Sequence, residues 1–152
     1  RDLHQDGDGG WLRPYPGADA HAPIGKGRTH GSGVDLTLVT SGNGLFMSLR
    51  VQARLAAQGI HARVFDLRWL APLPVDDLLR EARATGRVLV VDETRRSGGI
   101  SEGVITALVD GGFDGRIARV ASEDSFVPLG DSWKKVLLDE ATIEDAARRL
   151  AR

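Results

Sequence analysis

The 152-residue sequence contains no cysteine and only one methionine. The lack of cysteine excludes a disulfide framework, a thiolate metal site and a cysteine nucleophile. No apolar run approaches the roughly 20 residues that a transmembrane helix needs, and the first residues do not have the pattern of a signal peptide. The lack of a transmembrane run and of a signal-peptide pattern favours a cytoplasmic location.

An excess of one charge is also lacking. The chain has 20 Lys and Arg residues against 21 Asp and Glu residues, which gives a formal net charge of −1. Such a chain has no broad basic surface for nucleic acid or anionic lipid, so we expect neither nucleic acid nor a membrane as a partner. With 41% hydrophobic residues, the chain has the size and composition of one globular domain.

Residues 1–22 are rich in Gly, Asp, His and Pro and follow neither hydrophobic period, so they are predicted to form an extended linker. The domain itself is predicted at residues 23–152. Because the chain begins at Arg1 instead of Met, we interpret it as a domain cut from a longer polypeptide.

From residue 23 onward, short apolar runs alternate with helical patterns, which is typical of a parallel sheet covered by helices. Strands are predicted at residues 36–40, 62–67, 88–91 and 117–120, and helices at 45–55, 75–85, 100–108 and from Ile143 onward. The glycines at 31–33 predict a turn that folds a short strand near residues 26–29 back as an antiparallel hairpin. Thr142 and Asp145 stand where a capping pair of the last helix is expected.

Three polar clusters follow predicted strands, where open α/β sheets bind ligands. Residues 41–44 could hold an anion at a helix N-terminus, but a tight turn explains their glycines better. Residues 122–130 contain two adjacent acids that could bind a metal, although a solvated loop is favoured. Residues 92–99 could perform acid/base chemistry or clamp a carboxylate.

For the cluster at residues 92–99 a subunit interface is the favoured interpretation, because no histidine, cysteine or activated serine accompanies its acids. The interface candidates are Glu93, Arg95, Arg96, Gly98 and Gly99. The four histidines have no metal-binding spacing. We therefore assign no catalytic, cofactor-binding or metal-binding residue to this chain.

An ordered set of segments resembles the C-terminal domain of transketolase as it occurs in the β subunits of 2-oxo acid dehydrogenases. No single motif is diagnostic, but the likeness extends essentially from Pro23 to Leu150. The matching segments are residues 23–28, 35–42, 59–60, 63–68, 70–73, 86–93, 98–102, 119–120 and 127–130.

The resemblance implies a three-layer α/β/α domain with a five-stranded, mostly parallel sheet and one antiparallel edge strand. In this family thiamine diphosphate and magnesium are held by two other domains, so the resemblance implies that this fragment alone binds neither and is inactive. The sequence lacks the family's diphosphate motif, since Gly7-Asp8-Gly9 has no Asn-Asn downstream. Residues 1–22 would then connect to an upstream pyrimidine-binding domain.

The resemblance also implies partners. The family's C-terminal domain helps to pair β subunits, contacts an α-type subunit or domain, and in multienzyme complexes presents the surface where the acyltransferase core docks. The residues that match this docking site are Asp114 and the C-terminal carboxylate of Arg152.

Two alternatives stay open from the sequence. One is a free-standing, flavodoxin-like module that binds a nucleotide or an anion at residues 41–44. The other is the same domain of a transketolase or a deoxyxylulose-phosphate synthase. Residues 92–96 and 123–130 favour the dehydrogenase branch, and the substrate of that branch, whether pyruvate, a branched-chain 2-oxo acid or acetoin, is not specified by these residues.

Overall fold

The computed structural model describes residues 16–152. Most of the predicted linker, residues 1–15, lies outside the described residues, and residues 16–22 form a turn without a helix or strand. The described chain forms five strands and four α-helices. They are β1 (Arg28–His30), β2 (Leu36–Thr40), α1 (Asn43–Ala56), β3 (Ala62–Asp66), α2 (Val75–Thr85), β4 (Arg87–Arg95), α3 (Ile100–Asp110), β5 (Arg116–Ser122) and α4 (Glu140–Ala151), with a 3-10 helix (Gly130–Lys135) before α4.

The strands form one sheet in the order β1-β3-β2-β4-β5. Only the β1–β3 pair is antiparallel, and the other three pairs are parallel. The predicted fold, a mostly parallel five-stranded sheet with one antiparallel edge strand, is confirmed.

The predicted hairpin is wrong, because β1 pairs with β3 and not with the next strand in sequence. Both edges of β2 are already occupied by β3 and β4, so no edge of β2 is left for β1. The pairing with β3 also sets Arg28 opposite Asp66, a cross-strand pair of opposite charges that favours this register.

Helices cover both faces of the sheet because neighbouring residues of a strand point to opposite sides. On one face, Leu38, Val64 and Leu89 pack with residues of α1 and α4. On the other face, Val39 and Phe65 pack with α2 and α3. All five side chains are fully buried, and burial of each contributes about 1.5–3 kcal/mol relative to exposure.

Helix α4 begins three residues before the predicted position. Its N-cap is Asp139, whose Oδ1 accepts a hydrogen bond of 2.8 Å from the N–H of Thr142. The predicted pair of Thr142 and Asp145 therefore does not form the cap, and Asp145 instead pairs with Arg148. The apolar period did not reveal this start because the first turn of the helix carries no core residue before Ile143.

Ion pairs join α1 to α4 along their exposed sides. The predicted outward side of α1 carries Arg50 and Arg54, and both contact α4. Arg54 lies 2.7 Å from carboxylate oxygens of both Glu140 and Glu144. These two hydrogen-bonded acids raise the pKa of Arg54 above its ordinary value.

Candidate functional site

The three predicted polar clusters lie together at the carboxyl edge of the sheet. Parallel strands β2, β4 and β5 end on the same side, so the loops that follow them meet there. Glu93 contacts Asn43 of the first cluster, and Ser97 contacts Asp124 of the third. The sequence did not indicate that these clusters meet, because the contacting residues are 50 and 27 positions apart in the chain and no local pattern predicts such contacts.

Glu93 closes the N-terminus of α1. Its Oε1 accepts a hydrogen bond of 3.0 Å from the N–H of Asn43, and the Oγ of Ser122 donates to the carbonyl oxygen of Glu93 over 2.8 Å. The carboxylate therefore occupies the place where an external anion would meet the helix N-terminus. The half-buried Glu93, an interface candidate from the sequence, is thus engaged within the domain.

Asp92 likewise accepts a hydrogen bond from the N-terminus of a helix, α3, on the other face of the sheet. It is 2% exposed, and its Oδ2 accepts a hydrogen bond of 2.9 Å from the N–H of Ser101. Its Oδ1 accepts from the N–H and the hydroxyl of Thr94 at 2.9 and 2.7 Å. Burial alone would raise the pKa of Asp92, but the hydrogen bonds from Ser101 and Thr94 outweigh it and hold the pKa below its ordinary value.

Strand geometry explains why two adjacent acids cap two different helices. Neighbouring side chains of β4 point to opposite faces, so Glu93 reaches α1 and Asp92 reaches α3. Strand β4 continues to Arg95, beyond the predicted end at residue 91, and its pairing with β5 shifts register between Asp92 and Arg95.

Two glycines make room for these carboxylates. Gly42 has φ +58°, and a Cβ placed on it would lie 2.5 Å from Oε1 of Glu93. A Cβ on Gly99 would lie 2.6 Å from Oδ2 of Asp92 and 2.5 Å from the carbonyl oxygen of Arg95. The favoured explanation of residues 41–44, a tight turn into a helix, agrees with this geometry.

The loop after β4 is tied to the loop after β5. Asp124 accepts hydrogen bonds from the N–H and the hydroxyl of Ser97 at 2.8 and 2.6 Å. The hydroxyl of Ser97, with its N–H, lowers the pKa of this exposed carboxyl. The Nε of Arg95 donates to the carbonyl oxygen of Ser97 over 3.0 Å. Asp124 therefore lies in an exposed loop, as the favoured prediction of a solvated loop has it, and also joins this loop to the loop after β4.

An apolar run protrudes from this loop pair. Phe126 and Leu129 are each 96% exposed, and Val127 between them is 58% exposed. Phe126 also lines a groove of about 520 Å³ together with Arg95, Ser97 and Gly98. We call residues 126–129 the apolar loop. The sequence signal for it was three large apolar residues in a polar segment without helical or strand period.

The predicted interface residues divide into two groups. Arg95 and Gly98 are exposed and line the groove with Phe126, and Arg96 is exposed in the same loop, whereas Glu93 and Gly99 are half-buried and lie at the N-termini of α1 and α3. The predicted docking residues Asp114 and Arg152 are both exposed. Asp114 precedes β5, so it lies at the amino edge of the sheet, away from the loop pair.

The described residues do not fit a diphosphate with its metal. The N–H of Asn43 in α1 and that of Ser101 in α3 already bond to carboxylates of the domain, whose negative charge would repel a diphosphate. Within residues 16–152 there is also no group of three or more His, Cys, Asp or Glu side chains placed to hold a metal ion. No helix in that range is long and apolar enough to span a membrane.

The family model for the transketolase C-terminal domain matches residues 25–147. Together with the three-layer fold and the carboxyl-edge loops, this match shows that the chain belongs to the transketolase C-terminal domain family. The flavodoxin-like alternative loses its support, since the carboxylate of Glu93 occupies the helix N-terminus at residues 41–44 where that alternative would bind its anion.

Within this family the chain is similar to two kinds of enzyme. It is 41% identical over 105 residues to 1-deoxy-D-xylulose-5-phosphate synthase of Gloeobacter violaceus, covering 69% of this chain and 16% of that protein. It is 31% identical over 130 residues to the pyruvate dehydrogenase E1 component subunit beta of Rhizobium meliloti, covering 83% of this chain and 28% of that protein. The chain thus spans well under half the length of these relatives.

A solved structure shares the fold. The inactive beta4 tetramer of a split gene transketolase superposes with a TM-score of 0.78 at 27% identity, over 88% of this chain and 43% of that chain. That protein is a homotetramer by its description, and its matching domain has the same α/β architecture.

Proposed function

We propose that this chain is the C-terminal assembly domain of the decarboxylating component of a 2-oxo acid dehydrogenase. In the parent enzyme, a 2-oxo acid is decarboxylated on thiamine diphosphate and the acyl group passes to lipoamide. The role of this domain is to hold subunits together, including a second β-type subunit and an α-type subunit or domain.

The observation that carries this proposal is the apolar loop beside the paired polar loops. Phe126 and Leu129 are both 96% exposed, and Phe126 lines a groove with Arg95, Ser97 and Gly98 of the loop after β4. Exposed aromatic and aliphatic side chains with a polar rim are typical of a protein interface. Arg95 and Arg96 supply that rim, and arginine is enriched at interfaces.

The cofactor belongs to the parent and not to this domain in our proposal. The family resemblance assigns thiamine diphosphate with its magnesium to other domains. Calorimetric titration of the chain with thiamine diphosphate and magnesium is therefore expected to give no binding heat. Micromolar binding would overturn this part of the proposal.

A second candidate is the equivalent domain of a 1-deoxy-D-xylulose-5-phosphate synthase, which the 41% identity to the Gloeobacter violaceus enzyme favours. The two candidates differ in the reaction of the parent. We expect the purified full-length parent, with its α-type partner if that is a separate chain, to acylate lipoamide from a 2-oxo acid. Formation of 1-deoxy-D-xylulose-5-phosphate instead would establish the second candidate.

Docking to an acyltransferase core is a further part of the proposal, with Asp114 and the carboxylate of Arg152 as its candidates. The exposed Asp114 is free to meet a basic partner domain. Reversing its charge by Asp114→Lys in the full-length parent should weaken binding to the core while decarboxylation by the free enzyme stays unchanged. Unchanged core binding would contradict the assignment.

A further inference from the structure

The outer edge of β5 is open along most of the strand. β5 is the last strand of the sheet, and within residues 16–152 no further strand pairs with it. The N–H of Arg116 donates to the carbonyl oxygen of Gly86 on the β4 side. Since backbone groups alternate in direction along a strand, Ile117, Arg119 and Ala121 turn theirs towards the open edge. At Glu123 the edge closes, because its N–H donates to the carbonyl oxygen of Val136 over 2.8 Å.

A groove of about 390 Å³ runs between this edge and α4. Its apolar lining consists of Ile117, Ala118, Val120, Ala146 and Leu150. Arginines rim it from both elements, two from β5 and one from α4: Arg116, Arg119 and Arg149. We call this feature the β5 groove. It combines unpaired backbone groups, apolar side chains and positive charge in one groove.

The charge of the rim is not neutralised within the described part of the chain. Arg116 and Arg149 are exposed and have no carboxylate partner there. The nearby acids of α4 are engaged elsewhere, since Glu144 pairs with Arg54 and Arg148 and Asp145 pairs with Arg148. The β5 groove is therefore a locally basic surface on a chain whose formal net charge is −1.

This charge argues against a second copy of the chain as the occupant. Antiparallel pairing of two β5 edges about Arg119 would set the Arg119 side chains of the two copies opposite each other, and like charges across a strand pair are destabilising. An extended segment with carboxylates would instead complement the rim. Its backbone would bond to the open edge, as in the strand-addition mode of peptide recognition.

We propose that the β5 groove binds an extended acidic segment of a partner chain, which adds to the sheet as a sixth strand beside β5. Its backbone pairs with Ile117, Arg119 and Ala121, its acidic side chains meet Arg116 and Arg149, and its small apolar side chains face Ala118 and Ala146. This surface is separate from the apolar loop, so the proposal does not depend on the assembly role described above.

The test uses a capped seven-residue peptide, Glu-Glu-Val-Val-Glu-Glu-Val, which presents both glutamate and valine on each face of an added strand, with a lysine-for-glutamate version as its control. Titration into the isotope-labelled chain, followed by amide NMR, should shift and protect the amides of Ile117, Arg119 and Ala121 for the acidic peptide only. Arg116→Glu should weaken this binding about tenfold at low salt, since reversal replaces an attraction by a repulsion of similar size. The matched control is Arg28→Glu, an exposed arginine on the opposite edge strand, which should change the affinity less than twofold.

Four results would overturn the proposal. One is no binding of the acidic peptide at millimolar concentration, and another is equal binding of the lysine peptide. The third is an equal loss of affinity in the Arg116 and Arg28 variants. The fourth is amide shifts confined to β1, which would assign the interaction to strand edges in general. Thermal unfolding of each variant shows whether it is folded, and a loss of affinity is interpreted only for folded variants.

Discussion

Replacing Asp92 by alanine should destabilise the domain more than any other change at the carboxyl edge. The variant leaves three donors, the N–H groups of Ser101 and Thr94 and the Thr94 hydroxyl, without their carboxylate. A hydrogen bond to a charged group contributes about 1.5–3 kcal/mol and a lost helix cap costs about 1 kcal/mol. These terms are not additive, and Thr94 is exposed enough to recruit water. We therefore expect the free energy of unfolding to fall by about 3–4 kcal/mol.

The assay is urea unfolding at pH 7, with Asp92→Asn and Glu102→Ala as comparisons. Asparagine keeps one acceptor oxygen, so it should cost about half as much as alanine. Glu102 is an exposed acid in the first turn of the same helix, and its removal should cost no more than about 1 kcal/mol. An Asp92→Ala loss as small as that of Glu102→Ala would refute the capping role.

The stability conferred by Asp92 should also depend on pH. Its pKa in the folded state lies below the ordinary value of 3.8, because hydrogen bonds to the ionised form outweigh burial. The contribution is therefore complete above that ordinary value and is lost as the pH falls through the lower folded-state pKa. The stability difference between the wild type and Asp92→Asn should shrink below about pH 4. A difference that stays constant down to pH 2 would contradict this sign.

Two further changes test other parts of the fold by chemical unfolding. Gly42→Ala should lower the free energy of unfolding by about 2 kcal/mol, because it combines a positive φ with a contact on Glu93. Gly59→Ala, with φ +78° and open space around it, should lower it by about 1 kcal/mol. Equal losses in the two variants would contradict the contact between position 42 and Glu93. Arg54→Ala should lower the free energy of unfolding by about 1 kcal/mol at low salt and by less at 1 M salt, because the ion pairs of Arg54 with Glu140 and Glu144 are partly exposed and are screened by salt. A loss that does not change with salt would instead indicate that Arg54 stabilises the domain by packing.

Two elements, β2 and α2, were predictable from sequence to the residue. Strand β2 is fully buried and β-branched, and helix α2 has acids at its start and Gly86, in the left-handed conformation, after its end. These signals are local, since they depend on the residues of the element itself. The fold class followed from their alternation, because a strand that is apolar on both faces requires helices on both sides.

The features that sequence reasoning missed depend on contacts distant in the chain. The partner of β1 was decided by which strands occupy the edges of β2, and no property of residues 26–33 contains that information. The engagement of Glu93 by α1 joins residues 50 positions apart. The exposure of Phe126 and Leu129 was not predictable from sequence either, since large apolar residues in a loop are as often buried beneath the loop as exposed for a protein interface.

The assembly role of the apolar loop is the central claim, and native mass spectrometry of the full-length parent tests it most directly. The double variant Phe126→Ser with Leu129→Ser should dissociate the subunit assembly at concentrations where the wild type stays associated. Val109→Ser, which changes a 62% exposed residue on α3 away from that loop, should leave the assembly intact. An assembly that is unchanged in the double variant, with all three proteins folded, would contradict the claim.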